Sequence, residues 1–405
     1  MTALRFVNAR MLTPGGPTGP TQLAVRDGVI VAARAQGGER EETLDLGGDY
    51  LLPGFIDTQV NGGGGVLFND SPSVEAIAAI GEAHARFGTT GFLPTLISDD
   101  LDVIDRAMRA VEDAIARGVP GVLGIHVEGP FINIARKGIH DPSKFRRLQD
   151  ESIRLLSGLR RGRTLVTLAP ELCSAEQIRR LKAAGVIIAA GHTDATFETM
   201  NAALAAGVTG FTHLFNAMSP LQHRAPGVVG AALDDPDSYC GIIVDGHHVS
   251  PVVLRIALRA KSSERFMLVT DAMPTVGSLE KSFVLNGATI DARDGVCVGP
   301  DGTLAGSDLD MASAVRNAVR MVGVPLAEAA AMAATAPARF LDLAPAYGTL
   351  SVGARADLVR MDEDLRLKGV WRGGIPVPIA ADGIAPVRRE VPDGDAVWAV
   401  YAAHP

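Results

Sequence analysis

Cysteine is scarce in this sequence. Cys173, Cys240 and Cys297 are the only three, far apart and without a CxxC pair. Neither a disulfide framework nor a thiolate metal cluster is expected, and a reducing cytoplasm fits. Basic excess is lacking too: 38 Lys and Arg stand against 46 Asp and Glu, a formal charge of −8. No broad positive field exists to neutralise nucleic-acid phosphates, although one or two placed cations suffice for a small anionic substrate. No stretch approaches the roughly 18 apolar residues of a membrane helix. The opening "MTALRFVNARMLTPGG" has no apolar core followed by a cleavage site, as a signal peptide would. The expectation is a cytoplasmic protein without nucleic-acid or membrane partners. No GxGxxG opens a helix, so a doubly wound dinucleotide-binding sheet is only the second-ranked fold.

What is present is globular. Apolar residues make up 47% and charged residues 21% of 405, enough for one large α/β domain and a smaller one. Residues 1–50 read as short strands and turns, with Asp27-Gly28 as a hairpin signal in "TQLAVRDGVIVAARA". The segments "GTLSVGARADLVRMD" and "LRLKGVWRGGIPV" near the other end look similar. Both ends are therefore expected to meet in one small β-sandwich domain, 1–50 with 344–405, and 51–343 to be inserted between them.

The insert behaves differently. Apolar strands recur behind helical segments: "GFIDTQV", "GFLPTLI", "GVLGIHVEG", "TLVTLAPE", "GVIIAAGHT", "GFTHLFNAM", "CGIIVDGHH" and "FMLVTDAM". Between them, Ile104, Met108, Val111 and Ile115 form a helical stripe that Gly118 would end, and Ser71-Pro72 suits a helix start. Eight such repeats imply a closed (β/α)8 TIM-like barrel, whose site lies at the C-terminal strand ends. The residues there are Gln59 and Asn61, Glu128, Glu171, His192, His213, His247 with His248, and Asp271. Imidazoles with a carboxylate are the usual ligands of a catalytic zinc that keeps one position open. His84, in "EAHARFG", and His404 read as structural or solvated. The β-like segment 276–303 reads as either a lid or a packing element.

These residues, in this order, resemble the amidohydrolase superfamily and, within it, the N-acetylglucosamine-6-phosphate deacetylases. The matching segments include "PGFIDTQVNGGGG", "HVEGPFINIARKGIHDP", "GHTDATFE", "GFTHLFNAMSPLQHRAPGVVGAAL", "VDGHHVSP", "LVTDAMP" and "LAGSDLDMASAVRN". The resemblance implies one divalent metal per subunit, Zn²⁺ or Fe²⁺, held by Glu128, His192 and His213. It implies Asp271 as acid/base and His140 against the substrate carbonyl, with Ile139 beside it. Asn216, Ala217 and His248 would hold a sugar phosphate, and Leu304, Ala305 and Gly306 would close over the sugar. Arg224 would reach the phosphate from the partner of a homodimer. Strand 1 of many superfamily members ends in His-x-His, and strand 4 supplies a lysine; here strand 1 ends Gln59-Val60-Asn61 and "TLVTLAPE" has no lysine. Neutral amides donate too weakly to replace two imidazoles, so the expected centre is mononuclear, with Gln59 and Asn61 orienting water or substrate. The implied reaction is removal of acetyl from an N-acetylated amino-sugar phosphate. The galactosamine epimer or another N-acyl amino sugar is the alternative substrate, and a non-catalytic scaffold the remaining reading.

Overall fold

The computed structural model describes residues 3–13, 16–32 and 41–379. The end of "GVIVAARA" and the tail 380–405, with His404, lie outside the described residues.

Eight parallel strands make the central sheet: β1 Phe55–Val60, β2 Thr89–Ile97, β3 Gly124–Glu128, β4 Arg163–Leu168, β5 Ile187–Ala190, β6 Gly210–Phe211, β7 Tyr239–Ile242 and β8 Phe266–Leu268. Each pairs with the next in chain order. Just beyond β8, Ala272 bridges Val60 of β1, and the Asp271 amide donates to the Gln59 carbonyl at 3.1 Å. That seam closes the barrel. All six residues of β1 and all nine of β2 are buried, because helices cover the outer face and side chains fill the inner one. Burial on both faces explains why these strands read as apolar runs rather than alternating ones.

The helices follow their apolar stripes. Ile104, Met108 and Val111 of Leu101–Ala116 are buried, and Gly118 at φ +73° carries the chain away from that helix. One start differs from expectation. The first helix is Val74–Ala85, because Ser73 rather than Ser71 accepts the third-residue amide, from Ala76. The expected Ser-Pro pattern occurs elsewhere, where Ser250 caps Pro251–Ala260.

The N- and C-terminal segments share a nine-stranded sheet system. Ala3–Thr13 pairs through its first half with Thr21–Arg26 and Glu41–Asp45, and further along with Tyr50–Pro53. The latter leads on to Leu358–Met361, Leu367–Arg372 and Ile375–Val377. Phe6, Leu23 and Val25 from one side meet Leu51, Leu358 and Trp371 from the other, with Phe6 edge-on to Trp371 at 4.9 Å. Asp27 and Gly28 both hold positive φ, as a tight hairpin turn requires.

The segment after β8 forms a separate antiparallel sheet, Ser282–Leu285, Ala288–Arg293, Val296–Val298 and Leu304–Ser307. Its Leu285, Ile290, Cys297 and Ala305 pack on Leu67, Ile97 and Met273. At its first turn Asn286 donates to the Ile139 carbonyl at 2.9 Å. Among the described residues, no helix is long and apolar enough to cross a membrane.

Candidate active site

The strand ends surround a cavity of about 320 Å³. Glu128 ends β3, while His192, His213 and Asp271 lie just beyond β5, β6 and β8. The last three hold left-handed φ of +49°, +31° and +53°. Strain of that kind in non-glycine residues gathers where a side chain must be aimed against local preference.

Glu128, His192 and His213 converge. His213 Nε2 lies 2.9 Å from Glu128 Oε1 and 3.1 Å from His192 Nε2, and His192 Nε2 lies 3.2 Å from the same carboxylate oxygen. His192 Nδ1 donates to the Arg136 carbonyl at 2.8 Å, which places the ring proton there and frees Nε2 as a lone-pair donor. All three residues are buried. Burial alone would raise the Glu128 carboxyl, but the two imidazoles beside it reverse this and leave it well below its ordinary value. Burial likewise opposes charge on His213, and Glu128 outweighs it, so that pKa is raised. Two imidazoles and one carboxylate meeting this closely fit a divalent transition metal.

Glu128, His192 and His140 also bring ligand atoms within 4.8 Å of one another. His140 is the poorer third donor. Its Nδ1 accepts the Ser98 amide at 3.3 Å and meets the Ser98 hydroxyl at 2.7 Å, so the proton of the neutral ring sits on Nε2. Burial, followed by the neighbouring His192, lowers the His140 pKa to about 3 and keeps the ring neutral. His140 is thus a fixed N–H donor beside the triad.

The two amides of β1 face the acids. Gln59 Nε2 lies 3.2 and 3.3 Å from the Glu128 oxygens and 3.1 Å from Asp271 Oδ1. Asn61 Nδ2 donates to the same Asp271 oxygen at 2.7 Å. Burial and then the Glu128 charge raise the Asp271 pKa to about 6, against the pull of His213, His248 and Asn61. Gln59 stands behind the carboxylates rather than lining the cavity, whereas Asn61 lines it. The glycines after Asn61 are needed for space: a Cβ on Gly62 would lie 2.4 Å from the Val66 carbonyl oxygen.

Ile139, Asn216, Ala217, His248, Leu304, Ala305 and Gly306 line the same cavity. Gly306, at φ +74°, lets this wall come close, since a Cβ there would meet Met273 Cγ at 2.6 Å and the Asp271 carbonyl oxygen at 2.7 Å. His248 Nδ1 is 2.6 Å from Asp245 Oδ2, while Asp245 Oδ1 takes the amides of His247 and His248. Burial disfavours the imidazolium, and the Asp245 charge more than compensates, so the His248 pKa is raised. That ring can offer positive charge to an anion.

Other rim residues take different places. Glu171 sits on the turn Pro170–Leu172 and accepts from Asn133 Nδ2, Thr193 Oγ1 and the Asp194 amide. It braces the chain around His192 and does not join the triad. His247 does not line the cavity, and Arg224 lies on an exposed loop outside it. Arg136 is the one arginine or lysine among the described lining residues, and it pairs with Asp194 at 2.8 Å. The sequence reading passed over Arg136, and also His126, which joins Thr95 and Thr167 in a buried layer below the triad. The alternation of "HVE" had the signal for His126, because residues two apart share the inward face with Glu128.

Asp57 lies deeper, accepting the Gln59 amide, the Thr270 amide and the Thr270 hydroxyl. Burial raises its pKa from 3.8 to about 7. The folded state then keeps a proton that the unfolded chain has shed, so this group lowers stability as pH climbs from about 4 to about 7. Asp57→Asn is expected to remove that slope. Compared with wild type, its urea midpoint should gain more at about pH 8 than at about pH 5; an equal difference at both pH values would contradict the shift.

A sequence model of the amidohydrolase family matches residues 50–384. The chain belongs to the amidohydrolase family. An N-acetylgalactosamine-6-phosphate deacetylase of Shewanella sp. (strain ANA-3) is 44% identical over 372 residues, 90% of this chain and 94% of the relative. An N-acetylglucosamine-6-phosphate deacetylase of Haemophilus influenzae is 37% identical over 336 residues, 82% and 88% of the two chains. The crystal structure of N-acetylglucosamine-6-phosphate deacetylase from Pasteurella multocida superposes with a TM-score of 0.88 at 34% identity, covering 92% of this chain and 99% of that one. In this amidohydrolase, then, strand 1 carries two amides that hold Glu128 and Asp271.

Proposed function

We propose that the protein hydrolyses N-acetyl-D-glucosamine 6-phosphate to D-glucosamine 6-phosphate and acetate. The observation that carries this is the meeting, in one cavity, of a His/His/Glu triad, a carboxylate fixed by two amides, and a neutral imidazole with its N–H fixed inward. Relatives across 82–90% of the chain carry the names of deacetylases of this substrate class.

Glu128, His192 and His213 hold the metal, zinc or iron(II), which when bound makes water available as a nucleophile at neutral pH. Asp271 Oδ2, free of the Gln59 and Asn61 bonds to Oδ1, takes the proton of the attacking water. His140 Nε2–H faces the oxygen that gains charge as the acetyl carbonyl is attacked. Asp271 then delivers the proton to nitrogen, because an amine is too basic to leave unprotonated. The sugar phosphate rests against Asn216, Ala217 and His248, with Leu304, Ala305 and Gly306 over the ring. The described parts of 1–50 and 344–379 frame the working barrel of 51–343. The paucity of cysteine suits a cytoplasmic enzyme.

Arg224 reaches the phosphate of the partner subunit in a homodimer. Its place on an exposed loop, away from its own cavity, supports this reading. Arg224→Ala is expected to raise KM by about 10- to 100-fold and to change kcat little, since a guanidinium on the phosphate binds substrate and transition state alike. A kcat loss with unchanged KM would remove Arg224 from the phosphate.

The deciding assay is acetate release from N-acetylglucosamine 6-phosphate beside the unphosphorylated sugar. Turnover confined to the phosphorylated sugar supports the reading, and no turnover of either overturns it. A second reading, the galactosamine epimer, is favoured by the 44% identity to the Shewanella protein. The higher kcat/KM of the two sugar phosphates decides between them.

A further inference from the structure

Asn61 has one half of its amide engaged and the other half free. Nδ2 donates to Asp271 Oδ1 at 2.7 Å, and this bond fixes which end is nitrogen, since a carboxylate oxygen needs a donor. Oδ1 is therefore aimed away from Asp271, and it is buried without a hydrogen-bond partner. The residue is 2% exposed, yet it lines the cavity. Its backbone is tied down as well: the Asn61 amide donates to the Ala272 carbonyl at 2.9 Å, and its carbonyl accepts from Phe68 at 2.9 Å. The side chain has little freedom to turn its oxygen elsewhere. Buried acceptors are nearly always satisfied, so a lone one on a residue that lines the cavity marks where a ligand's donor belongs.

The reacting group has a donor to match. A secondary amide carries one N–H, and it sits on the nitrogen that Asp271 must protonate. When the carbonyl carbon becomes tetrahedral, that nitrogen gains a lone pair, and only a lone pair facing Asp271 can take the proton. The N–H must then point elsewhere. We infer that Asn61 Oδ1 accepts the substrate's amide N–H, so that one side chain fixes both Asp271 and the nitrogen it protonates. This rests on the deacetylase reading. It does not depend on the sugar epimer, because the acetamido N–H is common to both. Proton bookkeeping is unchanged: Asn61 neither gains nor loses a proton, Asp271 carries the one from water, and the C–N bond breaks as nitrogen receives it. Asn61 acts by positioning.

The test is made in the Asp271→Asn protein, where turnover is slowed enough for substrate shown to be intact after the titration to be measured, and the new amide's oxygen can still accept from Asn61. Calorimetry gives Kd for N-acetylglucosamine 6-phosphate and for 2-deoxyglucose 6-phosphate, which has the same phosphate but no acetamido group. Adding Asn61→Leu is expected to weaken the first about tenfold and the second by less than about twofold. If Asn61 served only to hold Asp271 or to shape the pocket, the two ligands would change alike. Equal weakening of both, or no weakening of either, overturns the inference and leaves the deacetylase reading in place. Failure of the Asp271→Asn protein to bind either epimer of the N-acetylated sugar phosphate overturns both. Should Asn61→Leu not fold, Asn61→Ala carries the same comparison without added bulk.

Discussion

Asp271→Asn is expected to retain its metal and lose kcat by about 10³- to 10⁴-fold, the upper part of the range for a general acid–base group. The size follows from the double duty proposed for this carboxylate. It stands alone among the acids of the cavity in being free to change protonation, because Glu128 is locked between two imidazoles and held well below its ordinary pKa. Gln59 and Asn61 both donate to one oxygen of Asp271, which leaves the other to work. An amide at 271 can still accept from both, so the cavity keeps its shape while the proton carrier is gone. Acetate release with metal content measured on the same sample separates the two effects. A variant within about tenfold of wild type would take the acid–base role away from Asp271.

Glu128→Ala should do the opposite: the metal itself is expected to be lost, and activity to fall by at least about 10³-fold with it. Glu128 supplies the only negative charge in the triad, and its Oε1 is the atom that both imidazole Nε2 atoms approach. Without it, two imidazoles whose Nε2 atoms lie 3.1 Å apart remain, and the ligand set itself has no negative charge to offset that of an ion. The loss should not be repaired by excess metal at micromolar concentration, whereas a brace such as Glu171 should leave stoichiometry near one. One tightly bound equivalent in Glu128→Ala would exclude it as a ligand. The comparison also judges the rival triad through His140, since that set shares Glu128 and would fail in the same variant, while His140→Asn should keep the metal.

The barrel was legible because its strands are buried on both faces, which leaves unbroken apolar runs such as "GFLPTLI" between amphipathic helices. The small β domain was legible through one turn, Asp27-Gly28, and the likeness of the two chain ends. Local capping was harder. Ser71 and Ser73 offer the same hydroxyl, and only the path of the chain decides which reaches the Ala76 amide. At the site, the strand-end residues that converge, Glu128, His192 and His213, stood out by residue type. Glu171 had the same look, but its partners, Asn133 on one side and the adjacent Thr193 and Asp194 on the other, come from two other segments, and no spacing reveals that it braces. Asn61 was visible as an amide where a ligand was missing. That one of its two polar atoms is spoken for and the other is not could emerge only from the seam with Asp271.

That seam has a consequence for how the enzyme comes into being. Gln59 and Asp271 are 212 residues apart, and they meet where the first strand joins the segment after the last. Contacts of such sequence separation form late, since the entropy of the whole intervening chain must be given up before they stabilise anything. A refolding chain can therefore regain helices and most parallel pairings while Asp271 still lacks both amide donors. Returning catalysis would act as a clock for ring closure, trailing the return of ellipticity. A ligand that bridges the two edges would speed the hand of that clock, because it rewards the one encounter that the chain reaches last.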